Sequence, residues 1–182
     1  MTNFIHKQMI DNKLCDKLID YFESSKAKFK GTTGTDELYN PKYKETTEIT
    51  FTPNDDYFND YILELNNVIA EYKKIFEYSD QQQHPWQINP IIKIQKYSKG
   101  EGYHVYHYEN SGAPETNKRH LVFMTYLNDV KAGETGFLYQ KLKIKPKKGL
   151  TLIWPAIWTH THKGHIVKSD KYIITGYYNY NE

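Results

Sequence analysis

The stretch IIKIQKYSKGEGYHVYHYE, residues 91–109, sets the pattern of the C-terminal half of the chain. Two runs rich in β-branched and aromatic residues, 91–97 and 103–109, flank the turn-forming KGEG, which predicts two successive strands. Side chains at positions i and i+2 of a strand lie on the same face, so His107 and Glu109 share one face. An imidazole beside a carboxylate is either a plain surface pair or two ligands of a metal site.

Short strand-like runs continue to the C-terminus. They are HLVFMTYL (120–127), TGFLY (135–139), KLKIK (141–145), GLTLIW (149–154) and KYIITGYYNY (171–180). The turn signals NSGAPETN, NDVKAGE and PKKG separate them. Many short strands without helices between them are typical of a sandwich or barrel of jelly-roll type.

The N-terminal part predicts two helices. The first has apolar residues at helical spacing and a cap at Asp11 or Asn12; its stripe is Leu14, Leu18, Tyr21 and Phe22. The second runs from about residue 54 to 78, with Asn54, Asp55 and Asp56 as cap and first-turn acids; its stripe is Phe58, Ile62, Leu65, Ile69, Tyr72 and Phe76. The polar stretch 24–44 between them is predicted as a long loop, either a lid over a site or a disordered connector.

The bulk composition excludes several classes of protein. The 182 residues are long enough to bury a core, and we expect a single domain, 1–182, in which helical support at 1–89 buttresses a jelly-roll core at 90–182. With 24 basic and 22 acidic residues the net charge is +2, so nucleic acid is not an expected partner. Cys15 is the single cysteine, and neither a signal peptide nor a membrane-length apolar run is visible, so we expect a cytoplasmic protein that needs no membrane.

A second cluster of histidines follows the run GLTLIW. The segment WTHTHKGH, residues 158–165, contains His160, His162 and His165, and a neighbouring strand could place one of them beside His107 and Glu109. Two histidines and one carboxylate leave coordination positions open, as non-heme Fe(II) oxygenases require.

Several motifs in order carry a family resemblance. Tyr97 stands ten residues before His107, and Glu109 follows; then come YLND (126–129), AGET (132–135), LKIKPKKG (142–149) and HKGHIVKSDKYIITGYY (162–178). Over roughly residues 90–180 the chain resembles the Fe(II)/2-oxoglutarate dioxygenases, and among them the prolyl 4-hydroxylase-like branch. The resemblance implies a double-stranded β-helix, that is, a cupin-like jelly-roll barrel, buttressed by the two helices.

The resemblance also implies the roles of individual residues. His107, Glu109 and His162 would be the iron ligands, Lys171 the salt-bridge partner of 2-oxoglutarate, Tyr126 a hydroxyl donor to the same carboxylate, and Tyr97 a residue of the pocket near the metal. The sequence departs from the usual His-x-Asp pattern, because Glu109 is one methylene longer and must retract or rotate to keep the metal distance. Counting forward from Trp154 and Pro155 leaves His160 as the alternative distal histidine.

The activity implied is hydroxylation of an unactivated C–H bond, first of all in a prolyl residue of a peptide or protein. Fe(II), 2-oxoglutarate and O2 would be required, succinate and CO2 would be co-products, and dependence on ascorbate follows by analogy. Three alternatives stay open: a hydroxylase of a free amino acid or other small molecule, a non-catalytic metal- or ligand-binding module on the same fold, and a cupin-like enzyme that uses zinc or manganese.

Overall fold

The computed structural model describes residues 2–33, 39–81 and 83–181. Within these residues the chain forms two α-helices and twelve strands. The helices are α1 (Asn12–Ser24) and α2 (Asn59–Ile75). The strands are β1 (His6–Met9), β2 (Phe29–Lys30), β3 (Thr47–Phe51), β4 (Trp86–Ile88), β5 (Ile92–Tyr97), β6 (Tyr103–His107), β7 (Arg119–Tyr126), β8 (Thr135–Phe137), β9 (Leu142–Ile144), β10 (Leu150–Pro155), β11 (His162–Gly164) and β12 (Lys171–Tyr180).

The strands form two antiparallel sheets that share a core. The larger sheet has the order β1-β10-β7-β12-β5-β3-β2, with β4 also paired to β12, and the smaller sheet has the order β6-β11-β8-β9. Residues of both sheets, among them Met124, Trp154 and Phe137, pack together between them. The predicted fold class is confirmed: the protein is mainly β, a jelly-roll barrel with two helices against it.

Strand β7 shows how the sequence builds these layers. Val122 and Met124 point into the core between the two sheets, whereas Leu121 and Phe123 point to the other side, into the core that the helices complete. A continuous apolar run is what a strand covered on both faces requires. The larger sheet is therefore the central layer of the molecule, with the barrel interior on one side and the helices on the other.

The two helices bury the predicted faces with altered ends. Asp11 caps α1, and its side chain accepts a hydrogen bond from the Lys13 amide (2.9 Å). Helix α2 begins five residues later than predicted, because Asp55 instead caps a 3-10 turn at Asp56–Phe58, and it ends before a second such turn at Glu77–Ser79.

Several short strands of the larger sheet and one of the smaller sheet were not predicted from the sequence. Strands β1 and β3 lie in the part predicted to be helical, and they pair with β10 and β5 respectively. In the predicted loop 24–44, Phe29–Lys30 forms β2, while residues 34–38 lie outside the described residues, so that the lid stays a prediction, as do the domain boundaries. Among the residues that the structure describes, no helix has the length and apolarity to cross a membrane.

Candidate active site

Strand pairing in the smaller sheet brings together the three predicted metal ligands. His107 ends β6 and lies directly opposite His162 on β11, so that their rings are 4.4 Å apart. Glu109 follows two residues after β6 ends, and its Oε1 lies 3.4 Å from His107 Nε2 and 3.6 Å from His162 Nε2. One ligand atom from each residue falls within 4.8 Å of the others.

The backbone partners of both imidazoles indicate which ring nitrogen faces the site. His107 Nδ1 lies 3.1 Å from the Val105 carbonyl oxygen, and His162 Nδ1 lies 2.9 Å from that of His160. A carbonyl oxygen only accepts, so each Nδ1 donates a proton, and in the neutral rings each Nε2 turns its lone pair toward Glu109. Without a proton on Nε2, the three ligand atoms would be acceptors that repel one another unless a cation lies between them, which suits a metal site.

Two further side chains fix the orientation of the Glu109 carboxylate. The Tyr177 hydroxyl donates to Glu109 Oε2 (2.8 Å), and Arg119 Nη1 donates to the backbone carbonyl of Glu109 (3.0 Å) and lies 3.4 Å from Oε2. The Arg119 guanidinium also lies over the Tyr177 ring, 4.1 Å from its centre. Oε1 is thus the oxygen that lies toward the imidazoles, while Oε2 is bound by Tyr177 and Arg119.

The charges at the site favour the metal-binding forms of its residues. Burial alone would raise the pKa of Glu109, but the hydrogen bond and charge of His107 and the charges of His162 and Arg119 hold it well below its usual range. Burial, aided by the His107 charge, lowers the pKa of His162 to about 4. At neutral pH Glu109 is therefore ionised and His162 is neutral, which are the states that bind a metal.

Lys171 lies at the inner end of the same cavity. Its side chain is 2% exposed, its Nζ donates to the Gly133 carbonyl (2.9 Å), and it lies 4.7 Å from the centre of the Tyr97 ring. Burial lowers the pKa of Lys171 to about 8, and the charge of Glu134 opposes this shift. Among the described residues no carboxylate lies within 4.0 Å of the ammonium. Because the Lys171 ammonium is already buried, it can bind an anionic ligand with little further desolvation.

A glycine makes this arrangement possible. Gly133 has a φ of +87°, and a Cβ there would lie 2.5 Å from Val167 Cγ1 and 3.5 Å from Lys171 Nζ. Only glycine adopts this backbone conformation without strain and lets its carbonyl approach the lysine.

The two predicted tyrosines differ in their position. Tyr97 lines the cavity, as predicted, and its hydroxyl donates to Gln95 Oε1 (3.3 Å). Tyr126 lies beneath the cavity, where its hydroxyl bonds Thr135 Oγ1 (2.5 Å) and the Ile144 carbonyl (3.3 Å). The hydroxyl that lines the cavity wall is that of Thr135, not that of Tyr126. The role of Tyr126 toward 2-oxoglutarate stays a prediction, and Tyr126 would have to act through its hydrogen bond to Thr135.

The remaining histidines lie outside the cluster. His160 Nε2 bonds the Asn3 carbonyl (2.9 Å), and His104, which the strand pattern places on the opposite face from His107, lies 3.5 Å from Glu45. The arrangement thus favours His162 over His160 as the distal ligand. Trp158, at 60% exposure, contacts Tyr139 and does not line the cavity.

The cavity itself, of about 470 Å³, lies between the two sheets. Besides the predicted residues it is lined by polar side chains that were not predicted from the sequence: Lys44, Lys93, Gln95, Tyr103, Arg119 and Tyr177. Tyr177 lies on the same face of β12 as Lys171, six residues away, so strand periodicity gave a signal for it. Lys44 and Arg119 lie where loops meet the strands, and no local pattern points to them.

The fold and the site together define a jelly-roll barrel with a two-histidine, one-carboxylate metal site and a buried cation in the same cavity. The family model described as 2OG-Fe(II) oxygenase superfamily matches residues 92–179. This match, over just under half of the chain, confirms the predicted resemblance to the Fe(II)/2-oxoglutarate dioxygenases, and the cofactors of that superfamily are Fe(II), 2-oxoglutarate and O2, as predicted. No curated protein matches the chain significantly in sequence.

Solved structures of prolyl hydroxylases share the fold. The viral collagen prolyl hydroxylase of Paramecium bursaria Chlorella virus-1, in its 2-oxoglutarate complex, is 20% identical with a TM-score of 0.70, covering 96% of this chain and 95% of that one. A Trichoplax adhaerens prolyl hydroxylase with a hypoxia inducible factor peptide is 15% identical (TM-score 0.73, 98% and 84% covered). A Pseudomonas putida prolyl-4-hydroxylase is 13% identical (TM-score 0.73, 100% and 95% covered). The likeness to the prolyl 4-hydroxylase-like branch is therefore one of fold.

Proposed function

We propose that this protein hydroxylates a prolyl residue in a peptide or protein, with Fe(II) bound by His107, Glu109 and His162 and with 2-oxoglutarate as co-substrate. The observation that carries the proposal is the convergence of these three ligand atoms in a cavity that also contains the buried ammonium of Lys171. Hydroxylation that depends on 2-oxoglutarate needs a metal site and, in the same cavity, a cation for the co-substrate.

The residues present fit both groups. Two neutral imidazole nitrogens and one carboxylate oxygen are a ligand set that suits ferrous iron and leaves positions for other ligands. Lys171, with a carbonyl oxygen as its hydrogen-bond partner, has donors left for the distal carboxylate of 2-oxoglutarate. When bound, iron with 2-oxoglutarate and O2 supplies the oxidising chemistry that hydroxylates a C–H bond and yields succinate and CO2.

The protein contributes binding, orientation and exclusion of water. Val105 and His160 fix the two imidazoles through their carbonyl groups, and Tyr177 and Arg119 fix the carboxylate. Apolar side chains complete the wall and keep bulk water from the reacting centre; they are Val122, Met124, Trp154 and Ile173.

The choice of a prolyl substrate is supported by solved structures that share this fold. Three of them are named as prolyl hydroxylases, and one of these is a complex with a peptide. A free amino acid or another small molecule is the competing substrate class, and a binding module without turnover is the competing function. We retain the cytoplasmic location and the dependence on ascorbate as predictions.

Product analysis separates these functions. Purified protein would be incubated with Fe(II), 2-oxoglutarate and ascorbate in air, with proline-containing peptides or free amino acids, and succinate and the addition of one oxygen atom would be measured by mass spectrometry. We expect both with the peptides, and neither with His107→Ala. Product from free amino acids alone would move the substrate to the small-molecule class. Full succinate production by His107→Ala would refute the ligand assignment.

A further inference from the structure

A second cluster of cations lies in the cavity, away from Lys171. Its centre is Glu48, which is 0% exposed. Lys44 Nζ and Gln95 Nε2 (2.8 Å) bond Glu48 Oε1, and Lys93 Nζ lies 3.0 Å from Oε2. Two lysines thus share one buried carboxylate, and with both of them protonated the cluster has a net positive charge.

Both lysines face the cavity. Lys44 is buried and lies over the Tyr103 ring, 5.6 Å from its centre, and that ring stacks on His107 at 3.6 Å. The Lys93 side chain is 32% exposed and can reach a ligand from solvent. Burial lowers the pKa of Lys44, and the charge and hydrogen bond of Glu48 oppose the shift. A further anion beside these lysines would favour their charged forms in the same way as Glu48 does, and would itself be stabilised by them.

The strand register shows that the two cationic sites are separate. On β5 and β12 the cavity-facing pairs run from Tyr97 opposite Lys171, through Gln95, to Lys93 opposite Thr175. Lys93 is four residues from Tyr97, or about 13 Å along the strand. Lys93 therefore lies well away from Lys171 along this strand pair. Lys171 is assigned to 2-oxoglutarate, whereas Lys44 and Lys93 have no role in that chemistry.

We propose that Lys44 and Lys93 form an anion-binding subsite for the substrate, so that the substrate carries a carboxylate close to the carbon that is hydroxylated. The subsite rests on the proposed function. The other carboxylates that line the cavity do not neutralise it: Glu109 belongs to the metal site, and Glu115 lies exposed at the rim. The carboxylate can come from an acidic side chain or from the end of a chain, and the test distinguishes the two.

The test uses protein loaded with Zn(II), which is redox-inert, and saturating 2-oxoglutarate, so that Lys171 is occupied. Calorimetry at constant ionic strength would compare acetyl-Glu-Pro-Gly-amide, acetyl-Gln-Pro-Gly-amide and acetyl-Gln-Pro-Gly with a free carboxylate. Inorganic sulfate would be titrated separately as a probe of the subsite alone. We expect one of the two charged peptides to bind about tenfold more tightly than the neutral one, because a hydrogen-bonded charge is gained.

Three variants separate binding from a merely structural role. Lys93→Met should abolish the preference for the charged peptide and the saturable binding of sulfate. Lys96→Met is the matched control, because Lys96 lies on the same strand but pairs with Glu23 (2.7 Å) and Asp170 (3.2 Å) outside the cavity, and it should change neither. Glu48→Gln should strengthen sulfate binding where the variant stays folded, which a structural brace would not do.

The outcomes also separate the subsite from the function. Equal binding of all three peptides, or a preference that survives in Lys93→Met, overturns the subsite. Sulfate binding that depends on Lys93, without binding of any peptide, supports the subsite and contradicts the peptidyl-prolyl substrate. Hydroxylation of the peptides without any saturable sulfate binding overturns the subsite and leaves the function standing.

Discussion

The hydrogen bond from Tyr177 to Glu109 gives the sharpest test of how the site accommodates its longer carboxylate. Tyr177→Phe removes the hydroxyl that donates to Glu109 Oε2 (2.8 Å). Among the described residues, Arg119 at 3.4 Å is then the remaining side-chain partner of Oε2. Hydrogen bonds to charged groups contribute about 1.5–3 kcal/mol. Because this bond can form with and without a metal, part of that energy cancels. We expect a metal dissociation constant raised about tenfold, the low end of such effects.

The assay is an anaerobic competition titration of Fe(II), with Co(II) as a second metal, against a chelating dye. Tyr178→Phe is the matched control, because among the described residues its buried hydroxyl has no hydrogen-bond partner, and its ring packs on the helix side of the sheet. This variant should bind the metals as the wild type does. In Glu109→Asp the carboxylate retreats by about 1.5 Å, so adding Tyr177→Phe there should have little further effect. Wild-type affinity in Tyr177→Phe would refute the orienting role of the hydroxyl.

Three further predictions concern Lys171 and its surroundings. Lys171→Ala should raise the KM for 2-oxoglutarate at least about tenfold with a smaller loss of kcat, measured by succinate formation, and an unchanged KM would assign the carboxylate to another cation. The pKa of Lys171 is lowered from 10.5 to about 8, so the unfolded chain binds more protons between these values. The unfolding free energy of the ligand-free wild type should therefore rise relative to Lys171→Met as pH increases from about 8 to 10.5, and a constant difference in urea titrations would contradict the burial argument. Gly133→Ala should lower the unfolding free energy by about 1–3 kcal/mol and weaken 2-oxoglutarate binding, because the new Cβ collides with Val167; wild-type values for both would count against the close approach.

The fold was predictable from the sequence where the chain alternates between two buried faces. The runs that became β5, β7, β10 and β12 are rich in β-branched, aromatic and other apolar residues, and their strand character follows from local pattern. Strands β1 and β11 have four and three residues, and each exists because a distant partner supplies its hydrogen bonds. Such pairings depend on tertiary structure and leave no local signal.

The site was predictable to a similar extent. His107 and Glu109 stand two positions apart, and their spacing indicated a common face, although Glu109 lies beyond the end of the strand. The choice between His160 and His162 depended on the register that places His162 opposite His107. Tyr177 shares a face of β12 with Lys171, so strand periodicity pointed to it. Arg119 and the lysines around Glu48 come from separate strands and loops, so only the folded structure reveals them.

The central claim is that His107, Glu109 and His162 bind Fe(II) beside a 2-oxoglutarate site. The most direct measurement is anaerobic addition of Fe(II) and then 2-oxoglutarate, with observation of the visible metal-to-ligand charge-transfer band. We predict that the band appears with the wild type, is absent with His107→Ala, and needs more 2-oxoglutarate with Lys171→Ala. Folded wild-type protein that never develops the band would contradict the account and favour a binding module or a zinc or manganese site.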